Sequence, residues 1–296
     1  MPYTLQNALV DLYTELGQLS VTTATGGATN TVVDSKQVGL HGDDAWLDGA
    51  AFLIRDAGGA GAGPEGEMAR ITGYTDSTGT FTSATSAWTI APASGDTFGF
   101  TNNFYPLFTM MELVNRSLAS IGEIPLVDTT TLTTASAQTE YTYALAWKRT
   151  PPYRVDLQTR TGDTNDNQWQ QIHDWEYIPA TANSTGLLVL RQLPVSRALR
   201  IWYRGVHPTL TAATSVIYEG YAEELVLATA VERALRWQNS RLQGGDDFLL
   251  QRWNDAKQEL ERVRALYTTW FPSAHSRGLI LGAPRGRADR DFVINP

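Results

Sequence analysis

A few stretches of the 296-residue chain place reactive side chains at useful spacings. In His-Asp-Trp-Glu-Tyr (173–177), Asp174 and Glu176 are two residues apart and share one face of an extended strand. Paired carboxylates flank the scissile bond in glycosidases, and Trp169 and Trp175 offer rings on which a sugar could stack. The competing reading is a polar strand face with Trp175 turned into the core. It is preferred, because such carboxylate pairs are common in any chain. Asp163-Thr-Asn165-Asp-Asn167 supplies three oxygen positions of a calcium loop, but Gln168 then stands at the glycine position. Asp174 replaces the bidentate glutamate, and no helices flank the segment. It reads as a solvated loop, and Asp43, Asp44 and Asp48 read as an acidic turn, with a calcium site as the lesser alternative.

Other chemistry is excluded more firmly. The chain has no cysteine, so it has no disulfide framework, thiol nucleophile or Cys-ligated metal. It has no Gly-x-Ser-x-Gly, P-loop, His-Glu-x-x-His or Rossmann glycine fingerprint. The four histidines (41, 173, 207, 275) lie far apart in unrelated settings. The expectation is a protein that is not an enzyme, with no cofactor and no metal.

The charge is uneven. Residues 1–100 hold eleven Asp/Glu and three Lys/Arg, whereas residues 101–296 hold twenty of each. Without a basic excess, general nucleic-acid affinity is not expected. Twenty of the basic residues are Arg and three are Lys. Arg, with nine Trp and twelve Tyr, is the composition of interfaces as well as of cores. No apolar run reaches 18–20 residues, so no membrane span is expected. The N-terminus lacks the basic and apolar regions of a secretion signal, which points to synthesis in a cytoplasm.

The elements that position these residues follow from periodicity. Leu5, Leu9, Leu12, Leu16 and Leu19 recur at 4, 3, 4, 3 and predict a helix over 4–19. Residues 21–101 hold fourteen of the 25 glycines and predict short strands at 51–55, 69–74 and 79–82, separated by turns. Leu107, Met110, Met111, Val114, Leu118 and Ile121 predict a second helix, stopped by Gly122. Strands are predicted at 141–147, 153–157, 186–190 and 199–204. Residues 216–240 predict a third helix, closed by Gly244-Gly245. A fourth starts at Asp246, with Leu249, Trp253, Ala256, Leu260, Val263, Tyr267 and Trp270 in a seam at 4, 3, 4, 3, 4, 3.

The fold class expected is α+β. A helical bundle body (1–20, 102–124 and 212–272) carries an inserted, acidic, small all-β module (21–101), which is expected to be excisable. A second β segment (125–211) and an extended C-terminal tail (273–296) complete it. Leu249, Trp253, Leu260, Val263, Tyr267 and Trp270 are candidates for helix-seam or subunit packing. The tail mixes Arg with apolar residues, so Arg277, Arg285, Arg287, Arg290, Phe292 and Ile294 are candidate anchors of a docking arm.

Helix one, the stretch Met-Met-Glu-Leu-Val-Asn-Arg-Ser-Leu-Ala-Ser-Ile-Gly-Glu-Ile-Pro (110–125), and Ile-Trp-Tyr-Arg-Gly-Val-His-Pro-Thr-Leu (201–210) followed by two helices together resemble the head-to-tail adaptor, or head–tail connector, proteins of tailed bacteriophages. Thr-Val-Val-Asp (31–34), Phe-Leu-Ile-Arg-Asp (52–56), Arg-Ile-Thr-Gly-Tyr (70–74) and Ala-Ser-Gly-Asp-Thr-Phe (93–98) resemble small β modules of phage structural proteins. The resemblance implies a homo-oligomeric ring, commonly of twelve copies, at the head–tail junction of a virion assembled in the host cytoplasm. Such a ring docks under the portal protein, which the arm would grip, and offers a platform to tail or nozzle proteins. It extends the channel through which packaged DNA passes without specific binding. The alternative is a carbohydrate-binding or depolymerising component of a phage tail, using the Trp-rich segment 140–205.

Overall fold

A computed structural model describes residues 2–58, 64–85, 87–129, 132–135, 138–142, 151–159, 169–179, 186–190, 197–242 and 246–267. Among the described residues there are four α-helices: α1 (Leu5–Glu15), α2 (Leu107–Ile121), α3 (Glu223–Arg241) and α4 (Asp247–Leu266). The first seven strands are β1 (Ser20–Thr23), β2 (Gly26–Ala28), β3 (Thr31–Val33), β4 (Ala50–Arg55), β5 (Met68–Thr75), β6 (Thr80–Ser83) and β7 (Thr97–Phe100). The remainder are β8 (Glu123–Asp128), β9 (Glu140–Thr142), β10 (Arg154–Gln158), β11 (Trp169–Ile172), β12 (Trp175–Ile178), β13 (Leu187–Leu190) and β14 (Leu199–Val206).

The expected helical bundle body is not what forms. The described residues are mostly β, in three antiparallel sheets of seven, four and three strands, and 30% helical. Helical periodicity shows over 11 to 20 residues at a time, whereas these strands are three to eight residues long and rich in Thr and Gly. The helices therefore dominate a reading by period while the sheets carry most of the architecture.

The chain forms two compact units. One takes the chain up to Ile124 and resumes at Val206, so it holds both the helices and the 21–101 segment. The other spans Pro125–Gly205.

In the first unit the seven-stranded sheet runs β1-β7-β4-β5-β6-β3-β2. Its two end strands are consecutive in the chain, with only Ala24 and Thr25 between them. The Ala24 N–H donates to Asp96 O and the Thr25 N–H to Val33 O, both at 2.7 Å. One bent strand thus pairs with β7 through its first half and with β3 through its second, which brings the two ends of the sheet together as a barrel. Register shifts at Leu53/Arg55 in β4 and at Ile71/Gly73 in β5 supply the bending. Val32, Leu53, Ile71, Phe81, Phe98 and Trp88 fill the interior.

Helix ends follow local chemistry. α1 stops four residues short of the predicted Leu19. Gly17 adopts φ +65°, Gln18 N–H donates to Tyr13 O and Gly17 N–H to Thr14 O, each at 2.9 Å, which is a Schellman ending. α2 has the predicted span, and Gly122 follows it as the C-cap. α3 begins at Glu223, not 216, because the preceding segment pairs with the start of the chain: Leu5 N–H donates to Ser215 O and Ile217 N–H to Tyr3 O. Asp246 caps α4 as expected, accepting from Phe248 N–H at 3.0 Å and Leu249 N–H at 3.1 Å. No helix among the described residues is long and apolar enough to cross a membrane.

The second unit is a sandwich. The four-stranded sheet β11-β10-β14-β8 and the three-stranded sheet β12-β13-β9 share one core. Val155, Leu199 and Ile201 come from the first, and Tyr141, Leu188 and Leu190 from the second. The predicted strand at 141–147 is seen as β9, and residues 143–147 lie outside the described residues.

Candidate functional site

Of the predicted seam, Leu249, Leu260 and Val263 are buried. Leu260 and Val263 pack with Leu225 of α3. Trp253 is half-buried, and its indole N–H donates to Glu232 Oε1 of α3 at 3.0 Å. Tyr267 is 37% exposed at the end of α4, where the neighbouring Glu224 carboxylate holds its hydroxyl pKa above the ordinary value. Trp270 lies outside the described residues, as do the arm candidates Arg277, Arg285, Arg287, Arg290, Phe292 and Ile294. The seam thus joins α4 to α3 within one chain over its buried positions. Most of the remaining surface of α4 faces solvent.

The carboxylates of the acidic segment serve the backbone. Asp34, fully buried, accepts from Lys36 N–H at 3.0 Å and from the Thr22 hydroxyl at 2.9 Å. Asp43 accepts from Asp76 N–H at 2.8 Å, Asp44 from Tyr74 N–H at 3.1 Å, and Asp76 from His41 N–H at 3.0 Å. Asp96 receives Ala57 N–H at 2.9 Å and Ala93 N–H at 2.7 Å. Asp48 pairs with Arg70. Apart from Asp48, each of these carboxylates replaces a backbone partner that a turn cannot supply. Among the described residues no group of three or more His, Asp or Glu is arranged to hold a metal ion.

The two indoles of the glycosidase reading do not share a sheet. Trp169 lies on β11 of one sheet, and Arg200 holds its guanidinium 4.3 Å from the centre of the Trp169 indole. Trp175 lies on β12 of the other sheet and packs against the sandwich core. Asp163–Asn167 lies outside the described residues. In the first unit His41 rests against Trp46, with ring centres at 5.0 Å, and His207 is buried beside Tyr221; His275 lies outside the described residues. The His207 Nδ1 carries the proton it donates to Pro208 O at 2.7 Å, leaving Nε2 to accept Tyr218 N–H at 3.1 Å. Burial pulls the His207 pKa below its ordinary value, partly opposed by the bond to Pro208.

What residue types alone had not brought together is a ladder of Arg and Trp on the outer face of the four-stranded sheet. Asp156 is fully buried, and accepts from Arg154 Nε at 2.7 Å and from the Trp202 indole at 2.8 Å. Arg154 stacks 5.3 Å from the Trp202 ring centre, beside the Arg200–Trp169 pair. The signal was present in Leu-Arg-Ile-Trp-Tyr-Arg (199–204): Leu199 and Ile201 enter the core, so Arg200 and Trp202 must face outward.

Large apolar side chains remain in solvent around the helix ends. Phe108 opens α2 at 62% exposure and Phe248 opens α4 at 69%. Phe104 is also exposed, and Arg241 at the end of α3 reaches its carbonyl at 3.5 Å while lying 5.6 Å from the Trp237 ring centre. No protein-family model matches the sequence, and no curated protein matches it.

Proposed function

We propose that this chain is a virion structural protein without catalytic activity: an adaptor that assembles as a ring beneath a portal, extends the DNA channel and carries the tail. The observation that supports this most is the exposed set of Phe104, Phe108 and Phe248 with Arg241. Aromatic and Arg side chains left in solvent around helix ends are what a protein–protein interface buries. The Arg–Trp ladder on the sandwich adds a second surface of the same residue types. The resemblance of 110–125 and 201–210 to head-to-tail adaptors supplies the kind of assembly, and the arm 273–296 is assigned to gripping the portal.

The carbohydrate alternative gains nothing from the sandwich, since the Trp169 ring is covered by Arg200 and Trp175 packs on the core. The deciding experiment is the native mass of the purified protein, alone and mixed with portal protein. A closed multiple of the chain mass that shifts further with portal supports the adaptor. A monomer indifferent to portal refutes it.

A further inference from the structure

A cleft of about 340 Å³ in the first unit has chemistry that the fold leaves unused. One wall is α1, where Gln6, Val10 and Asp11 fall on one side at i, i+4 and i+5. Ile54 of β4 and Glu223, in the first turn of α3, also line it, with Tyr3 from the chain start. The Tyr3 hydroxyl donates to Asp11 Oδ2 at 2.9 Å, which leaves Asp11 Oδ1 open. Gln6 is 4% exposed; its Nε2 donates to Leu53 O at 3.1 Å, and among the described residues its Oε1 accepts no hydrogen bond. Among the described residues Glu223 forms no ion pair and no Lys, Arg or His lines the cleft. Burial first, then the Asp11 and Glu223 charges, drive the Tyr3 pKa far upward, so Tyr3 remains a neutral donor there.

Two carboxylates and the amide of the almost fully buried Gln6 line a space flanked by Val10 and Ile54. That calls for a cation with several N–H donors and flat apolar faces, which is a guanidinium and not a compact, strongly hydrated ammonium. Glu223 suits a helix N-terminus on its own, and Asp11 orients Tyr3. Neither role uses Asp11 Oδ1 or the Gln6 oxygen.

We propose that this cleft binds an arginine side chain, and that the arginine is Arg277 of a neighbouring copy. Charge and sequence select it among the four arginines of residues 268–296. Arg290 lies between Asp289 and Asp291, which the cleft carboxylates would repel, and Arg285 and Arg287 are set among Gly, Pro and Ala. Arg277 has no acidic residue within ten positions and is followed by Gly-Leu-Ile-Leu (278–281), an apolar run that suits Val10 and Ile54. It lies ten residues beyond Tyr267, a reach of up to about 33–36 Å when extended. The later arginines stay available to the portal. This inference goes beyond the ring reading and shares with it only the need for a neighbouring copy.

The test uses a fluorescein-labelled peptide of residues 271–283, which stands in for the neighbour whether or not a ring forms. It is titrated by anisotropy against the full chain carrying Arg277→Gln. Saturable binding is expected. Asp11→Asn, which keeps an acceptor for Tyr3, and Glu223→Gln, on the exposed first turn of α3, should each weaken it at least tenfold. A peptide with Arg277→Lys should bind about fivefold more weakly, and one with Arg277→Gln should not bind. The unsubstituted chain, whose own Arg277 competes, should take up the labelled peptide at least fivefold less tightly. If Asp11→Asn perturbs folding, Glu223→Gln decides. No saturable binding, binding indifferent to Glu223→Gln, equal binding of the Arg277→Gln peptide, or equal uptake by the unsubstituted chain would each overturn the proposal.

Discussion

Phe52 tests whether the barrel and the helices are one cooperative structure. β4 is buried on both faces: Ala51 and Leu53 point into the barrel core, and Ala50 and Phe52 point out of it. Phe52 is nonetheless fully buried, with its ring centre 5.6 Å from that of Tyr13 on α1. Tyr13 in turn donates its hydroxyl to Tyr105 O at 2.7 Å, just before α2. Phe52→Ala removes a wholly buried ring. The transfer loss of about 1.5–3 kcal/mol and the cavity left behind place the cost at about 3–5 kcal/mol. The assay is urea unfolding followed by circular dichroism at 222 nm, which reports the helices. Phe81→Ala, inside the barrel, is the companion variant, since Phe81 is also fully buried. One cooperative unit predicts that both variants lower the helical transition by a similar amount. If the barrel were a separable insert, Phe52 would behave as a surface residue, within about 0.5 kcal/mol of wild type. Phe81→Ala would then leave the helical signal unmoved. A helical transition unchanged by either variant refutes the reasoning, and supports excision of 22–101 as a tolerated deletion.

Three further outcomes follow from the geometry. Stability should be level between about pH 7 and 9 and fall as the pH drops below about 6.5, the ordinary histidine value. The folded pKa of His207 is the lower one, so its contribution is present above the unfolded value and is lost as Nε2 gains a proton and can no longer accept Tyr218 N–H. His207→Gln should remove that component of the pH profile, and an unchanged profile would refute the assignment. On α4, Leu260→Ala should cost about 2–5 kcal/mol, because the side chain is buried. Trp253→Ala should cost less, about 1–3 kcal/mol, because the ring is only half-buried and loses mainly its bond to Glu232; melting curves in the reverse order would show the packing to be misread. In the sandwich, Asp156→Ala should cost about 2–4 kcal/mol, since hydrogen bonds to a charged group are worth about 1.5–3 kcal/mol each and the half-exposed Arg154 regains water. Wild-type urea unfolding of Asp156→Ala would refute that estimate.

The helices were legible because a 3.6-residue period repeats many times within each. The span of α2 and the Asp246 cap of α4 came directly from apolar spacing and one side-chain oxygen. The shortening of α1 was readable too, since Gly17 sits two residues beyond its last turn. The barrel was legible only as strands. Its closure depends on Ala24 and Thr25 bending one strand between two partners, which no local pattern encodes. The helical-body expectation failed at the same place. The outward burial of Phe52 is a tertiary fact, yet the unbroken run Ala-Ala-Phe-Leu-Ile (50–54) is what a strand covered on both faces looks like.

The charge distribution takes on a different meaning once the partners are known. The acid excess of residues 1–100 suggests a surface waiting for a cation, yet Asp34, Asp43, Asp44, Asp76 and Asp96 bind backbone N–H groups at turns. A closed barrel needs many turns, and turns leave N–H groups without ladder partners, so short acidic side chains accumulate there for structural reasons. Asp11 and Glu223 differ in kind. Neither caps a loop of the barrel, and both face a cleft that the almost fully buried Gln6 also lines. The basic residues divide in the same way. Arg154 and Arg200 are committed to Trp202, Asp156 and Trp169 on the sandwich, whereas Arg277 belongs to a stretch of sequence with no acid near it. Asp11 and Glu223 in the cleft and Arg277 in the C-terminal segment make two sets of opposite sign. A head-to-tail contact between copies, which is what closes a ring, needs two different surfaces on each chain, and those two charge sets meet that requirement.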